Sequence, residues 1–416
     1  MSEQPLLAGA DWLREGALAR LLGVLNRDGE EARVVGGAVR NALLGEPIGD
    51  IDLATTATPD QVMRLTAKAG FKPVPTGIEH GTVTVVIDSR PFEVTTLRED
   101  VETFGRHASV RFGRDWRADA GRRDFTMNAL SATADGVVHD YVGGLADLAA
   151  RRVRFIGDPD KRIAEDYLRI LRFFRFHAAY GQGLPDVAGL AACVSARAGL
   201  QQLSRERVRM EMLKLVVAPY ATASLAAMTE CGLLVSVLGG VPYLASFENM
   251  TKVEAAIGAS RDAMQRLGAL AARTPEDADR LWQRLRLSNA EHARLQSIAD
   301  GWWRIVPADD QAARALLYRL GPERFVDRVL LAWARAWPQG AADAAWRACA
   351  RLPQRWTAPV FPLKAADFIK RGVPQGPRLG AALREAEMAW IAADFPSDAA
   401  ALERIAEGAT SAADPM

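Results

Sequence analysis

Gly36-Gly37-Ala38-Val39-Arg40 closes one apolar run and opens a helical pattern, and ten residues beyond Arg40 the segment Asp50-Ile51-Asp52 sets two carboxylates one residue apart. On a strand, residues i and i+2 face the same way, so Asp50 and Asp52 project together. Two like charges that close repel unless a cation lies between them. A glycine turn that admits phosphate oxygens to the backbone, beside a Mg²⁺ clamp, is equipment for phosphoryl or nucleotidyl transfer. Metal-assisted nucleotidyl transfer uses two or three acidic groups around two cations roughly 4 Å apart. Glu93, flanked by Phe92 and Val94, is the third candidate, because a charge between apolar strand neighbours points away from their face. An isolated Asp-x-Asp is more simply a solvated strand end; the glycine pair before it and Glu93 after it favour the clamp.

Two further constellations follow. In Arg122-Arg123-Asp124-Phe125-Thr126-Met127-Asn128-Ala129, the residues Phe125, Met127, Ala129 and Leu130 anchor the segment in a core. Arg123 is then free to project towards a phosphate or ribose, with Asp124 fixing the local geometry. From Glu165 to Arg175, the residues Asp166, Arg169, Arg172 and Arg175 recur every third position on what reads as one long helix. Leu168, Leu171 and Phe174 bury much of it, and so many part-buried guanidinium groups need anions to meet them. Cytosine and adenine each offer an exocyclic amino donor beside a ring-nitrogen acceptor. A carboxylate and a guanidinium three residues apart, Asp166 and Arg169, complement both edges, whereas guanine and uracil present the reverse order.

These residues need a scaffold. Residues 11–27 read as an amphipathic helix with Leu13, Leu18, Leu21, Leu22 and Leu25 on its apolar side. Ala32 to Val35 and Asp50 to Ala54 read as strands, with a short helix to Leu44 between them. A helix capped by Thr58 runs to Ala69. Thr82 to Ile87 and Phe92 to Leu97 form a hairpin pattern around Asp88-Ser89-Arg90. From Pro159 onward nearly every segment reads helical, with joints at Gly239-Gly240 and at Pro353 to Pro362, a turn at Gly372 to Pro377, and fraying from Gly408 to Met416. The fold class expected is therefore α+β, a mixed β-sheet head followed by an all-α remainder.

The chain has 416 residues, 49% of them hydrophobic and 25% charged, with a formal net charge of +1. That balance excludes a globally basic polyanion-binding surface, so any nucleic acid is held by a local patch. Cys193, Cys231 and Cys349 are odd in number and without a CxxC pair, as expected of buried reduced thiols. No segment resembles a secretory leader, and no apolar run spans a bilayer, so the compartment expected is the cytoplasm.

Taken in order, GGAVR, the Asp50/Asp52 pair, EVTT at Glu93, RRDFTMNA and EDxxRxxRxxR resemble the class II tRNA nucleotidyltransferases (CCA-adding enzymes), in one superfamily with bacterial poly(A) polymerases. The motifs cover roughly residues 30–215. The resemblance implies a nucleotidyltransferase-type head (residues 1–157), a neck with a base-reading helix (158–215), a helical body (216–340) and a tRNA-binding tail (341–416). It implies Mg²⁺ on Asp50 and Asp52, with Glu93 as the third catalytic carboxylate. Gly36, Gly37 and Arg40 lie near the nucleotide phosphates, Arg123 binds nucleotide, Asp166 and Arg169 read the base, and Arg172 and Arg175 add contacts. The substrates implied are CTP, ATP and the tRNA 3′ end; oligomeric state is not read from the sequence. The Arg98–Ala120 segment, with Arg106, Arg111 and Arg114, is either a disordered surface loop or, by the resemblance, a mobile element that helps switch the pocket from C to A. One position departs from the pattern: Asn41 stands where the family usually has aspartate, so an ion pair made there is weakened. The competing readings are a poly(A) polymerase, an enzyme restricted to C or A addition, and a catalytically dead RNA-binding protein. The non-basic stretch Pro75 to Gly81 argues against the first, and intact Asp50, Asp52 and Glu93 against the last.

Overall fold

The structure is a computed structural model and describes residues 2–4, 6–104, 107–337 and 343–412; Arg106 and the residues after Ala412 lie outside these. The strands are β1 (Ser2–Gln4), β2 (Ala32–Val35), β3 (Asp52–Thr55), β4 (Lys72–Gly77), β5 (Thr82–Ile87), β6 (Arg90–Thr96), β7 (Arg98–Phe104), β8 (His107–Phe112), β9 (Ser131–Ala132) and β10 (Val138–Asp140). Eight of them form one mixed sheet in the order β1-β10-β9-β2-β3-β6-β5-β4, while β7 and β8 pair as a separate ribbon. β3 and β6 run parallel, with Asp52 opposite Glu93. The remaining pairings are antiparallel. Every residue of β2 is buried, and β5 alternates as a half-buried strand should.

Local chemistry accounts for most of these elements. Asp88 and Ser89 adopt φ of 50° and 64°, the two left-handed residues that a tight β5–β6 turn requires. β4 contains Pro73 and Pro75, which read against a strand; it forms at the sheet edge, where a missing N–H costs no ladder bond. The expected amphipathic helix at 11–27 is instead α1 (Asp11–Arg14) and α2 (Gly16–Leu25), because Glu15 is extended and Gly16 takes φ 69°. Its five leucines are nevertheless all buried. Next come α3 (Gly37–Leu44) and α4 (Pro59–Lys68), the latter started by a capping box between Thr58 and Gln61. The described residues of the Arg98–Ala120 segment form the β7–β8 ribbon followed by α5 (Trp116–Gly121), in place of the surface-loop alternative.

After α6 (Gly144–Ala149), the described residues form helices and no further strand. The first of these are α7 (Pro159–Glu165), α8 (Leu168–Tyr180), α9 (Val187–Ser195), α10 (Arg205–Val216) and α11 (Ala221–Glu230). α8 packs on α10 and α11 and sends Phe173 and Phe174 into the core. Phe125 meets Phe155 and Phe176 at ring-centroid distances of 4.9 and 5.1 Å, joining the strand region to α8.

Packing divides the chain into two compact units after Val237, next to the Gly239-Gly240 joint and inside the segment read as the body. The second unit is helical. Phe247, Leu267, Leu281, Phe325 and Trp333 form its interior, which also encloses an Arg266–Glu254 pair at 2.6 Å. Its last helices, Pro377–Ala392 and Ala399–Ala412, bury Ala382, Ala386, Ala406 and Ala409 against Phe368. Gly408 thus lies inside a helix rather than in a frayed end, because Ala409 beside it is buried. All three cysteines are free thiols; burial pushes the Cys349 thiol up to about 11.

Candidate active site

The buried β2 ends at Gly36, whose φ of 70° and ψ of −123° only glycine adopts without strain. Its N–H donates to the Leu130 carbonyl (3.0 Å), and α3 starts at Gly37. Arg40, one turn on, is 6% exposed, and its pKa lies below the ordinary value because of burial. Its guanidinium donates to Asn128 Oδ1 (2.5 Å), Tyr180 Oη (2.7 Å) and Asn41 Oδ1 (2.8 and 3.1 Å). Most of its donors therefore brace the turn. Asn41 replaces the expected ion pair with a neutral double role, accepting from Arg40 and donating from Nδ2 to the Pro47 carbonyl (2.9 Å). A carboxylate has no donor for that second bond.

Asp52 begins β3, whereas Asp50 precedes the strand, so the strand expected from Asp50 to Ala54 starts two residues later and ends at Thr55. The carboxylates nevertheless share one field. The Asp52 carboxyl is raised above the usual carboxylate range, first by desolvation, then by Glu93, with Asp50 adding and Arg123 opposing. Glu93 is exposed between buried Phe92 and Val94, as the alternation requires. Among the described residues no three His, Cys, Asp or Glu side chains converge into a closed metal cage. The crowding of Asp52 by two like charges is what a divalent cation relieves, so the donor set fits such an ion.

The Arg122–Ala129 segment is anchored as expected, with Phe125, Met127 and Leu130 fully buried. Asp119, buried in α5, accepts from Arg122 (2.6 and 2.9 Å) and Arg123 (3.0 and 3.3 Å). Burial alone would raise its carboxyl, but Arg123 and Arg122 bring it below the usual range. Asp124 accepts from the Phe125 N–H (2.8 Å), Asn128 Nδ2 (3.0 Å) and Arg172 Nε and Nη2 (2.9 and 2.5 Å). Those bonds overcome its burial and hold its carboxyl below the ordinary value. A continuous chain of polar contacts therefore runs from Asn41 through Arg40, Asn128 and Asp124 to Arg172.

The expected long helix from Glu165 to Arg175 is broken. α7 ends at Glu165, Asp166 is extended (φ −157°, ψ 107°), and α8 begins at Leu168. The Tyr167 ring packs so closely on Gly199 that a Cβ there would lie 2.1 Å from it. Asp166 accepts from Arg207 on α10, and Arg169 donates to Glu165 and to the Arg162 carbonyl. Arg175 donates to the buried Glu211 and lies over Phe176 at 4.2 Å.

One cleft of about 560 Å³ gathers Gly36, Gly37, Arg40, Asp52 and Arg123 with Asp166, Arg169 and Arg172. Asp50, Glu93 and Arg175 do not line it. Asp124, Asn128, Leu168, Phe176 and Arg207 complete the lining. Arg207 and Glu211 were missed by sequence reasoning; their i, i+4 spacing on a helix facing the arginine row is the signal that marks them. Five arginines against three aspartates make the cleft locally cationic in a near-neutral chain, which suits a polyphosphate.

Comparison with known proteins gives concordant matches. Residues 32–154 match the family described as "Poly A polymerase head domain", and residues 190–247 the one described as "Probable RNA and SrmB- binding site of polymerase A". The chain is 34% identical over 388 residues to "CCA tRNA nucleotidyltransferase 1, mitochondrial" of Mus musculus, covering 90% of this chain and 86% of the relative. It is 33% identical over 379 residues to "CCA-adding enzyme" of Limosilactobacillus fermentum, covering 87% and 89%. The fold superposes on the crystal structure of the Bacillus stearothermophilus CCA-adding enzyme in complex with CTP with a TM-score of 0.75 at 28% identity, covering 98% and 99% of the two chains. No helix among the described residues is long and apolar enough to cross a membrane.

Proposed function

Because the chain belongs to the CCA-adding tRNA nucleotidyltransferase family, we propose that it adds C, C and A to the 3′ end of tRNA from CTP and ATP, without a nucleic-acid template, releasing pyrophosphate. The observation that carries this reading is one cationic cleft holding the glycine turn, Asp52 and the Asp166/Arg169 pair together. Asp50 and Asp52 would hold Mg²⁺ beside Glu93. When bound, the ion lowers the pKa of the attacking 3′ hydroxyl and neutralises charge on the leaving pyrophosphate. The Gly36 turn and Arg123 receive the triphosphate. Asp166 accepts from the base's amino group while Arg169 donates to its ring nitrogen, so the protein does the work of a complementary base. Arg172, fixed by Asp124, supports the wall behind the nucleotide, and Arg175 supports it indirectly through Glu211.

We assign the head to residues 1–157, the neck to 158–215, the body to 216–340 and the tail to 341–416, with tRNA held by the helical parts. The match at residues 190–247 to a family described as a probable RNA-binding site supports RNA contact by the helical part. The cytoplasm is the compartment proposed, and fractionation of tagged protein tests it against the mitochondrial location of the mouse relative. The deciding experiment incubates purified protein with Mg²⁺, labelled CTP or ATP, and tRNA lacking its 3′ end. Addition that stops after C, C and A is expected. An open-ended A ladder would indicate a poly(A) polymerase, C or A alone a split activity, and no incorporation a binding protein.

A further inference from the structure

Asp166 and Arg169 do not hold each other; each is partly saturated by another neighbour. Asp166 Oδ1 accepts the Leu168 N–H (3.1 Å) and Arg207 Nη1 (3.2 Å), while Oδ2 accepts Arg207 Nη2 (2.6 Å). A carboxylate offers about four in-plane acceptor positions, two of them side by side along the edge joining its oxygens. The end-on fork of Arg207 occupies that edge on both oxygens, and the Leu168 N–H takes the outer position of Oδ1. One acceptor is left, the outer lone pair of Oδ2, and no described residue donates to it. Arg169 is the counterpart: Nη1 is used by the Arg162 carbonyl (2.5 Å) and by Glu165, leaving Nε and Nη2 without a partner among the described residues. Asp166, Arg169 and Arg207 all line the same cleft.

We propose that Arg207 is the positioning residue that excludes guanine, by leaving the Asp166 carboxylate a single acceptor; this rests on the assignment of Asp166 and Arg169 as base readers. One acceptor satisfies the single exocyclic amino group that cytosine and adenine present. Guanine presents N1–H and N2–H side by side, and the natural complement of that pair is the open double edge of a carboxylate. Arg207 already fills that edge. Uracil has one ring N–H between two carbonyls, so it has no use for a second acceptor.

The test compares kcat/KM for CTP, ATP, GTP and UTP on 3′-truncated tRNA with Mg²⁺, in wild type, Arg207→Met, Arg207→Gln and Asp166→Ala. Methionine preserves the packed stem without the fork, and glutamine restores one donor. The expected result is a rise of about tenfold or more in the GTP-to-CTP ratio in Arg207→Met, a smaller rise in Arg207→Gln, and little change for UTP. A merely structural role would lower all four nucleotides together and leave the ratio unchanged, which overturns the proposal. Equal gains for GTP and UTP overturn it too, because they would report a loosened pocket rather than an opened edge. If Asp166→Ala keeps the wild-type preference, the base-reading assignment itself fails. If Asp166→Ala alters the preference while both Arg207 variants keep it, only the role of Arg207 fails.

Discussion

Replacing Asp124 by asparagine isolates the contact that ties the RRD segment to α8. Asp124 makes two bonds to Arg172 and accepts from Asn128 and the Phe125 N–H, in a setting where its side chain is 12% exposed. Breaking a buried pair from one side costs about 3–5 kcal/mol, because the remaining charge stays desolvated. Arg172 keeps Glu211 at 3.7 Å, so the lower end, about 3 kcal/mol, is expected. For a unit of this size that is a fall of roughly 6–12 °C in the melting temperature. The pH dependence adds a second, signed readout. The folded carboxyl lies below its usual range, so its contribution is present in full above the unfolded carboxylate pKa of about 4. It is lost as pH falls through that value towards the folded one. Wild type and Asp124→Asn should therefore differ most near neutrality and converge in acid. Calorimetry from pH 7 down to pH 3 measures both. A variant that melts with the wild type at pH 7, or an offset that persists unchanged in acid, would refute the reasoning.

Asp52→Ala is expected to abolish nucleotide incorporation while leaving tRNA binding by gel shift largely intact; retained turnover would remove Asp52 from the metal clamp. Gly36→Ala places a Cβ at an ordinary 3.5 Å from Arg123 Nη1, so its cost is backbone strain at φ 70°, ψ −123°, about 1–3 kcal/mol. Its melting temperature should fall by several degrees and KM for both nucleotides should rise; unchanged values would show that the turn tolerates a side chain. Shortening the β7–β8 ribbon is expected to slow A addition more than C addition in single-nucleotide assays. Equal rates would end the idea that this segment helps switch the pocket.

What was legible in the sequence was what local physics decides. The alternation around Glu93, the Thr58 cap and the hairpin at Asp88-Ser89 are each set by a few neighbouring residues and appear as read, except that the turn is tighter and Arg90 already belongs to the second strand. The break at Asp166 was not legible, because Glu165 to Arg175 carries an uninterrupted helical pattern. Two distant partners force the break: Arg207, 41 residues on, which forks onto Asp166, and Gly199, which admits the Tyr167 ring. Arg40 shows the same limit. The family resemblance put it near the nucleotide phosphates, yet Tyr180, 140 residues away, and Asn128 claim its donors. Residue type tells what an arginine can bind, and only the tertiary neighbours show how much of it is left over.

The two margins of the eight-stranded sheet have a bearing on how the chain behaves in company. An open sheet ends in unpaired backbone that invites strands from other molecules. Here one margin is β1, three residues long, and the other is β4, where Pro73 and Pro75 each lack an N–H. A second copy arriving edge to edge would find too short a ladder on one side and missing donors on the other. The prolines that confine β4 to the sheet edge thus also withhold the donors that an incoming strand would need.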